Sequence, residues 1–245
     1  MRVSELILDV DDGQCVQNKL IMNTYKHNRM HSSSDNILFE DSSNEIFKKI
    51  KYFYYLKIKE KIEKPDLCSV IYSHEYETDI VPFYAIKNGI YDSNDDDILN
   101  VILSLDKDLL QTCEFNNTIQ CITNFSIDKN TNKYVINFDV FDKNNALKYI
   151  YNKFNPGILT AKYLPLILSI SGDKSDDIPG ISGYGPSKAI KLVEKNKIPY
   201  DLDSIKNNID YLPSILKDNI NIISRNMKLI DFNEQIKRLP VEFLN

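Results

Sequence analysis

The sequence predicts an α/β fold: a mostly parallel central sheet flanked by helices, with a helical C-terminal region. Three observations carry that reading. Residues 4–10, 67–72 and 98–105 are short apolar runs of strand length. Between the first two, residues 45–63 place Ile46, Ile50, Phe53, Tyr54, Leu56, Ile58 and Ile62 largely on one side of a helix. Acidic residues then gather at or past the strand ends: Asp9, Asp11 and Asp12, then Asp106 and Asp108. Open α/β sheets bind ligands at that edge.

At 245 residues the chain suits one large domain, or a core with a small appendage. Its 42% hydrophobic and 27% charged content is ordinary for a globular protein. A net charge of −5 and a pI of about 5.3 exclude a uniformly basic coat but leave room for a local basic face. Four cysteines without a CxxC pair, and only three histidines, argue against zinc and for reduced thiols inside a cell. The longest apolar run, residues 163–170, is too short to span a bilayer, and no signal-peptide pattern opens the chain. An intracellular location is expected.

Taken in order, residues 4–10 form the first strand, followed by the turn Asp11-Asp12-Gly13. Lys26 and Arg29 then stand at i,i+3, where one helix face could grip a phosphate; a surface pair is the plain alternative. Residues 31–44 are Ser-rich and read as a loop. Glu77 and Asp79 precede a helix that starts at Pro82 and stops at Gly89, where helix-terminal acids are an ordinary reading. Residues 98–105 read as a buried strand running into Asp106-Lys107-Asp108. Residues 118–125 and 133–140 alternate around Asn130-Thr131-Asn132-Lys133 and predict a β-hairpin. Helices follow over 144–154 and 156–170, and the tail beyond Lys197 is helical.

The stretch 172–189, GDKSDDIPGISGYGPSKA, joins two kinds of chemistry. Asp173 and Asp176 are three apart, so a short turn could aim both at one Mg²⁺ or Mn²⁺. Gly180, Gly183 and Gly185 punctuate a turn that opens a helix at Pro186. Backbone N–H groups at such a turn suit phosphate and read no base. An acidic loop beside a Gly-rich turn is the bland alternative.

That stretch resembles the GDxSDNIPGVxGIGxKTA signature of the 5′→3′ exonuclease and flap endonuclease family, which includes the 5′ nuclease domain of bacterial DNA polymerase I. YKHNR at 25–29, YETDI at 76–80, DKDLLQ at 106–111 and RNMKLID at 225–231 resemble the family's YKxNR, YEADD, xDKDLLQL and RNLxLxDL elements. The resemblance implies a PIN-like 5′ nuclease core over 1–170, with an arch segment near 18–44. It implies a helix–three-turn–helix DNA-binding region over 171–245. It implies two Mg²⁺ or Mn²⁺ ions held by Asp11, Glu77, Asp79, Asp106, Asp108, Asp173 and Asp176. Lys26 and Arg29 would steer the phosphate. Gly180, Gly183, Gly185, Ser187, Lys188 and Lys191 would bind DNA, with K⁺ at the turn. The implied activity is structure-specific phosphodiester hydrolysis on 5′ ends, flaps or junctions in replication or repair, with RNA–DNA hybrids as a further substrate.

Three departures accompany the resemblance. Ile80 stands where the family has an aspartate; it either removes a ligand or packs into the core. Asn18 stands near where phage members carry an arginine. The usual first strand–helix unit, with its aspartate, is not matched, which admits a second chain supplying it. The alternative function is therefore a weak or inactive DNA-junction module, one fragment of a split nuclease, or an RNA-processing subunit.

Overall fold

The computed structural model describes residues 6–11, 16–22, 68–73, 77–90, 98–128, 133–152 and 159–239. Lys26, Arg29, the Ser-rich 31–44, the amphipathic 45–63 and Asp95-Asp96-Asp97 lie outside the described residues. The chain divides into two compact units, Met1–Asp79 with Ser175–Asp177, and Ile80–Lys174 with Ile178–Asn245. No helix of the described residues is long and apolar enough to cross a membrane.

In the first unit, β1 (Leu6–Asp11) runs parallel to β2 (Cys68–Ser73), with Leu6 opposite Cys68 and Asp11 opposite Ser73. Parallel strands need a crossover, and α1 (Val16–Ile21) lies within it. Asp11 is the last residue of β1. Asn18 on α1 is fully buried, and its Nδ2 donates to Glu77 Oε2 at 3.5 Å. Glu77 is buried too.

The second unit opens with α2 (Ile80–Lys87), which buries Ile80, Val81, Phe83, Ala85 and Ile86. A helix so apolar around its girth belongs inside. Gly89, at φ +70°, follows it in the left-handed region that stops helices. β3 (Asn100–Leu103) pairs parallel with β4 (Thr118–Asp128), and β4 pairs antiparallel with β5 (Lys133–Phe141). The expected hairpin is thus present. The expected buried strand over 98–105 is shorter and one-sided: Ile102 packs on the core, while Val101, Leu103 and Leu105 are exposed. The sheets of the described residues are small, two of two strands and one of three, with parallel pairing at β1–β2 and β3–β4.

The 3₁₀ helix Lys107–Glu114 joins β3 to β4. Its Leu109 packs with Ile80, Phe83 and Phe232, and Phe83 stacks near Phe115 and Phe232 at centroid distances of 5.0 and 5.4 Å. Of the helix expected over 144–154, the described residues show a single 3₁₀ turn, Ala146–Lys148, preceded by mutual side-chain-to-backbone bonds between Asp142 and Asn145. The one expected over 156–170 reduces to a 3₁₀ turn, Ala161–Tyr163, and α3 (Leu164–Ser171), with residues 153–158 outside the described set. Residues 164–170 of α3 are all buried.

Beyond α3 come α4 (Pro186–Asn196), α5 (Leu202–Asn207), α6 (Ser214–Asp218), α7 (Ile220–Ile230) and α8 (Phe232–Ile236). Asn226 on α7 reaches the Ser169 carbonyl at 2.9 Å and the Pro179 carbonyl at 2.8 Å, tying α7 to α3 and to the acidic stretch. Arg225 donates to Asn226 Oδ1 and so orients it. Gln111 uses both ends of its amide on the α7–α8 junction, donating to Ile230 O and accepting from Phe232 N. Cys113 and Cys121 are free and buried. Burial pushes the Cys113 thiol up to about 12, which leaves it unreactive.

Two acids at this junction, Glu114 half-buried and Asp231 buried, give the fold a pH dependence. Burial raises Glu114 to about 7, with the charge of Asp231 adding to the shift and Lys87 opposing it. Burial likewise raises Asp231 to about 6, although its carboxylate caps α8 by accepting from Asn233 N at 2.8 Å. Both folded values lie above the unfolded ones, so the native state holds these protons more tightly. Their contribution to stability is full below about pH 4 and is lost as pH rises through 6 to 7. Urea unfolding should therefore show stability falling by roughly 3 kcal/mol between pH 4.5 and 7.5. Glu114→Gln should flatten that slope; an unchanged slope would contradict the assignment.

Candidate metal centre

The centre is built where α3 ends. Gly172, at φ +80°, turns the chain out of the helix into a short hairpin, in which Gly172–Asp173 pairs with Ile178–Pro179. Between them lie the 3₁₀ turn Lys174–Asp176 and Asp177, the latter at φ +59°. Aspartate tolerates that conformation better than most residues. The result places Asp173 and Asp176 on one tight hairpin, both buried.

Gly172 and Gly180 make the hairpin possible by letting backbone meet backbone. A Cβ on Gly172 would lie 2.5 Å from Gly180 N, and one on Gly180 would overlap the carbonyl of Ser171. Gly180 was expected to serve DNA contact; its position demands a structural role first. Gly180→Ala should destabilise the fold by about 3 kcal/mol or more, since no flexible side chain can yield. Gly183→Ala meets nothing within 4 Å and strains only the φ of +77°, so it should cost about 1 kcal/mol. Denaturant midpoints of the two variants check the contrast; equal losses would refute it.

The third acid arrives from the β3–β4 crossover. Asp106 caps the 3₁₀ helix, its Oδ1 accepting from Asp108 N at 2.9 Å. Gln120 on β4 fixes the same turn by donating to Ser104 O at 3.1 Å and to Asp106 O at 2.7 Å. With its backbone held so, Asp108 offers a carboxylate oxygen to a group in which one oxygen each from Asp108, Asp173 and Asp176 lies within 4.8 Å of the others. A hard cation with ligands at about 2.0–2.6 Å holds opposite oxygens about 4–5 Å apart, so the donor set fits. Lys107 Nζ stands 2.7 Å from Asp173 Oδ2 and offsets part of the negative charge.

Of the remaining sequence-predicted residues, Lys26 and Arg29 lie outside the described residues. Asp106 is outside that group and acts as a helix cap. Asp11 ends β1, and Glu77 and Asp79 close the first unit before α2 begins. Ile80 is 1% exposed and belongs to the core with Phe83, Leu109 and Phe232. On the Gly-rich turn, Gly183 and Gly185 have open space where a Cβ would stand, Gly185 caps α4, and Pro186 takes its first position. Ser187 lies in the first turn of α4, and Lys191 is exposed. Lys188 is exposed as well, and its Nζ donates to Gly183 O at 2.9 Å, fastening the turn it follows.

No protein-family model matches the chain, and no curated protein matches it by sequence. Solved structures do. The bacteriophage T5 5′-exonuclease with bound divalent metal ions (zinc) aligns with a TM-score of 0.64 at 17% identity, over 93% of this chain and 74% of that one. The T5 flap endonuclease, as a pseudo-enzyme-product complex with DNA and metal ions, aligns at 0.62 with 16% identity, over 93% and 74%. This chain has the 5′ nuclease fold. Within that 5′ nuclease fold, the side chains that sequence reading overlooked are the positioning amides Gln111, Gln120 and Asn226. Their signal was faint: polar residues set among apolar ones, at Gln120 in a strand and at Gln111 and Asn226 in helices.

Proposed function

We propose that the chain is a divalent-metal-dependent 5′ nuclease that hydrolyses phosphodiester bonds at 5′ ends, flaps or junctions of DNA in replication or repair. The observation that carries this reading is the group of Asp108, Asp173 and Asp176 on a fold shared with metal-bound nucleases. Those three acids would hold one Mg²⁺ or Mn²⁺, and Asp11, Glu77 and Asp79 are the candidates for a second. Bound ions of this kind supply an activated water and stabilise the leaving oxygen. The chain's own residues position and neutralise: Asp106 and Gln120 fix the turn under Asp108, while Lys26 and Arg29 would grip the phosphate.

The 171–245 region would hold duplex DNA through the open Gly183–Gly185 turn, the N-terminus of α4, Ser187, Lys188 and Lys191, with K⁺ as a ligand of the turn. It reads phosphate and shape, so sequence preference should be negligible. The test is cleavage of labelled flap, nicked and RNA–DNA hybrid substrates with Mg²⁺, Mn²⁺ or chelator, run beside binding to the same substrates. Metal-dependent release of 5′ products supports the nuclease. Binding without cleavage rejects it in favour of a junction-binding module. In that assay Lys191→Glu should weaken duplex binding and lower the salt slope by about one.

A further inference from the structure

We infer that Lys107 is a tethered counter-ion of the acidic group, a side chain that sets divalent-cation affinity by competing for Asp173. The inference rests on the metal-centre reading above. Lys107 Nζ lies 2.7 Å from Asp173 Oδ2, the separation of a direct ion pair. The carboxylate is almost wholly enclosed, at 4% exposure, whereas the lysine side chain is 21% exposed. The ammonium therefore reaches inward from a position that keeps a route to water. Its backbone has little freedom to drift away. Lys107 lies between Asp106 and Asp108, and that turn is fixed by the Asp106 cap and by the two bonds from Gln120.

A divalent ion entering the group needs the charge and lone pairs of Asp173. It must either displace the ammonium or bind beside a like charge a few ångströms away. Lysine suits displacement, because it is a compact charge on a flexible four-carbon stem and can swing to solvent. In the metal-free protein the same ammonium relieves repulsion among three clustered carboxylates. Lys107 thus trades metal affinity for a stable metal-free state.

The experiment titrates Mg²⁺ and Mn²⁺ calorimetrically into the full chain, with melts in chelator and in metal, for wild type, Lys107→Met, Lys107→Gln and Lys107→Arg. Both neutral variants should bind metal about tenfold more tightly, melt lower in chelator and gain more from metal. Lys107→Arg keeps the charge and should stay within about threefold of wild type or bind more weakly. The glutamine variant carries the test should the methionine variant fail to fold without metal. Metal binding by wild type with unchanged or weaker affinity in the neutral variants overturns the inference alone. Absence of metal binding in all four proteins overturns it together with the metal-centre reading.

Discussion

Asp108→Ala is expected to lower Mg²⁺-dependent cleavage by at least about a hundredfold, a loss of roughly 3 kcal/mol of transition-state stabilisation. The residue supplies one of three oxygens within 4.8 Å, and nothing else in that group can replace it. Its loss should leave the metal-free fold intact. Asp108 lies in the first turn of a 3₁₀ helix whose cap comes from Asp106, and its backbone N–H keeps that bond whatever its side chain. Removing one of three crowded negative charges should even raise the melting temperature in chelator, because repulsion falls. Duplex binding should persist, since the basic α4 turn is a separate feature. Turnover within tenfold of wild type, with normal melting, would sink the role given to Asp108. A fall in melting temperature of more than about 5 °C would instead mark the side chain as structural.

Asp108, Asp173 and Asp176 were legible in the sequence for a definite reason. Acids that follow an apolar run, or that recur at i,i+3 before a Gly-rich turn, carry their geometry in their spacing. Gly172 and Gly180 were visible as glycines, but their role was not. Backbone-to-backbone approach between residues eight apart is a tertiary fact, and the same glycines would suit a phosphate turn equally well. The one-sided burial of β3 was hidden because six apolar residues in eight fit an enclosed strand and a half-exposed one alike. The shortness of the helical turn at Ala146 was hidden because the bonds of Asp142 and Asn145 mark where a turn starts and say nothing of its length. Ile80 was the sharpest ambiguity, because the family pattern asks for a carboxylate where the core asks for a hydrocarbon.

Burial of Ile80 in the core supports the packing reading, and Ile80→Asp is expected to destabilise the protein by about 3–5 kcal/mol without tightening Mg²⁺ binding. Ile80 is 1% exposed and packs with Phe83, Leu109 and Phe232, partners that offer no hydrogen bond. A carboxylate there would be ionised and unpaired, or would take up a proton and remain an ill-fitting polar group. One term works the other way. Ile80 is the first residue of α2, where a negative charge gains about 0.3–1 kcal/mol from the helix dipole. That gain is several-fold smaller than the desolvation cost, so burial decides the sign. Ile80→Val keeps the hydrocarbon and should lose only about 1 kcal/mol, which calibrates the packing part. Urea unfolding of both variants, with calorimetric Mg²⁺ titration of each, separates the two readings. Tighter Mg²⁺ binding by Ile80→Asp at unchanged stability would return Ile80 to the place of a lost ligand. A large loss of stability with unchanged affinity would show that the carboxylates of Asp108, Asp173 and Asp176 work beside a helix start held for packing, not for charge.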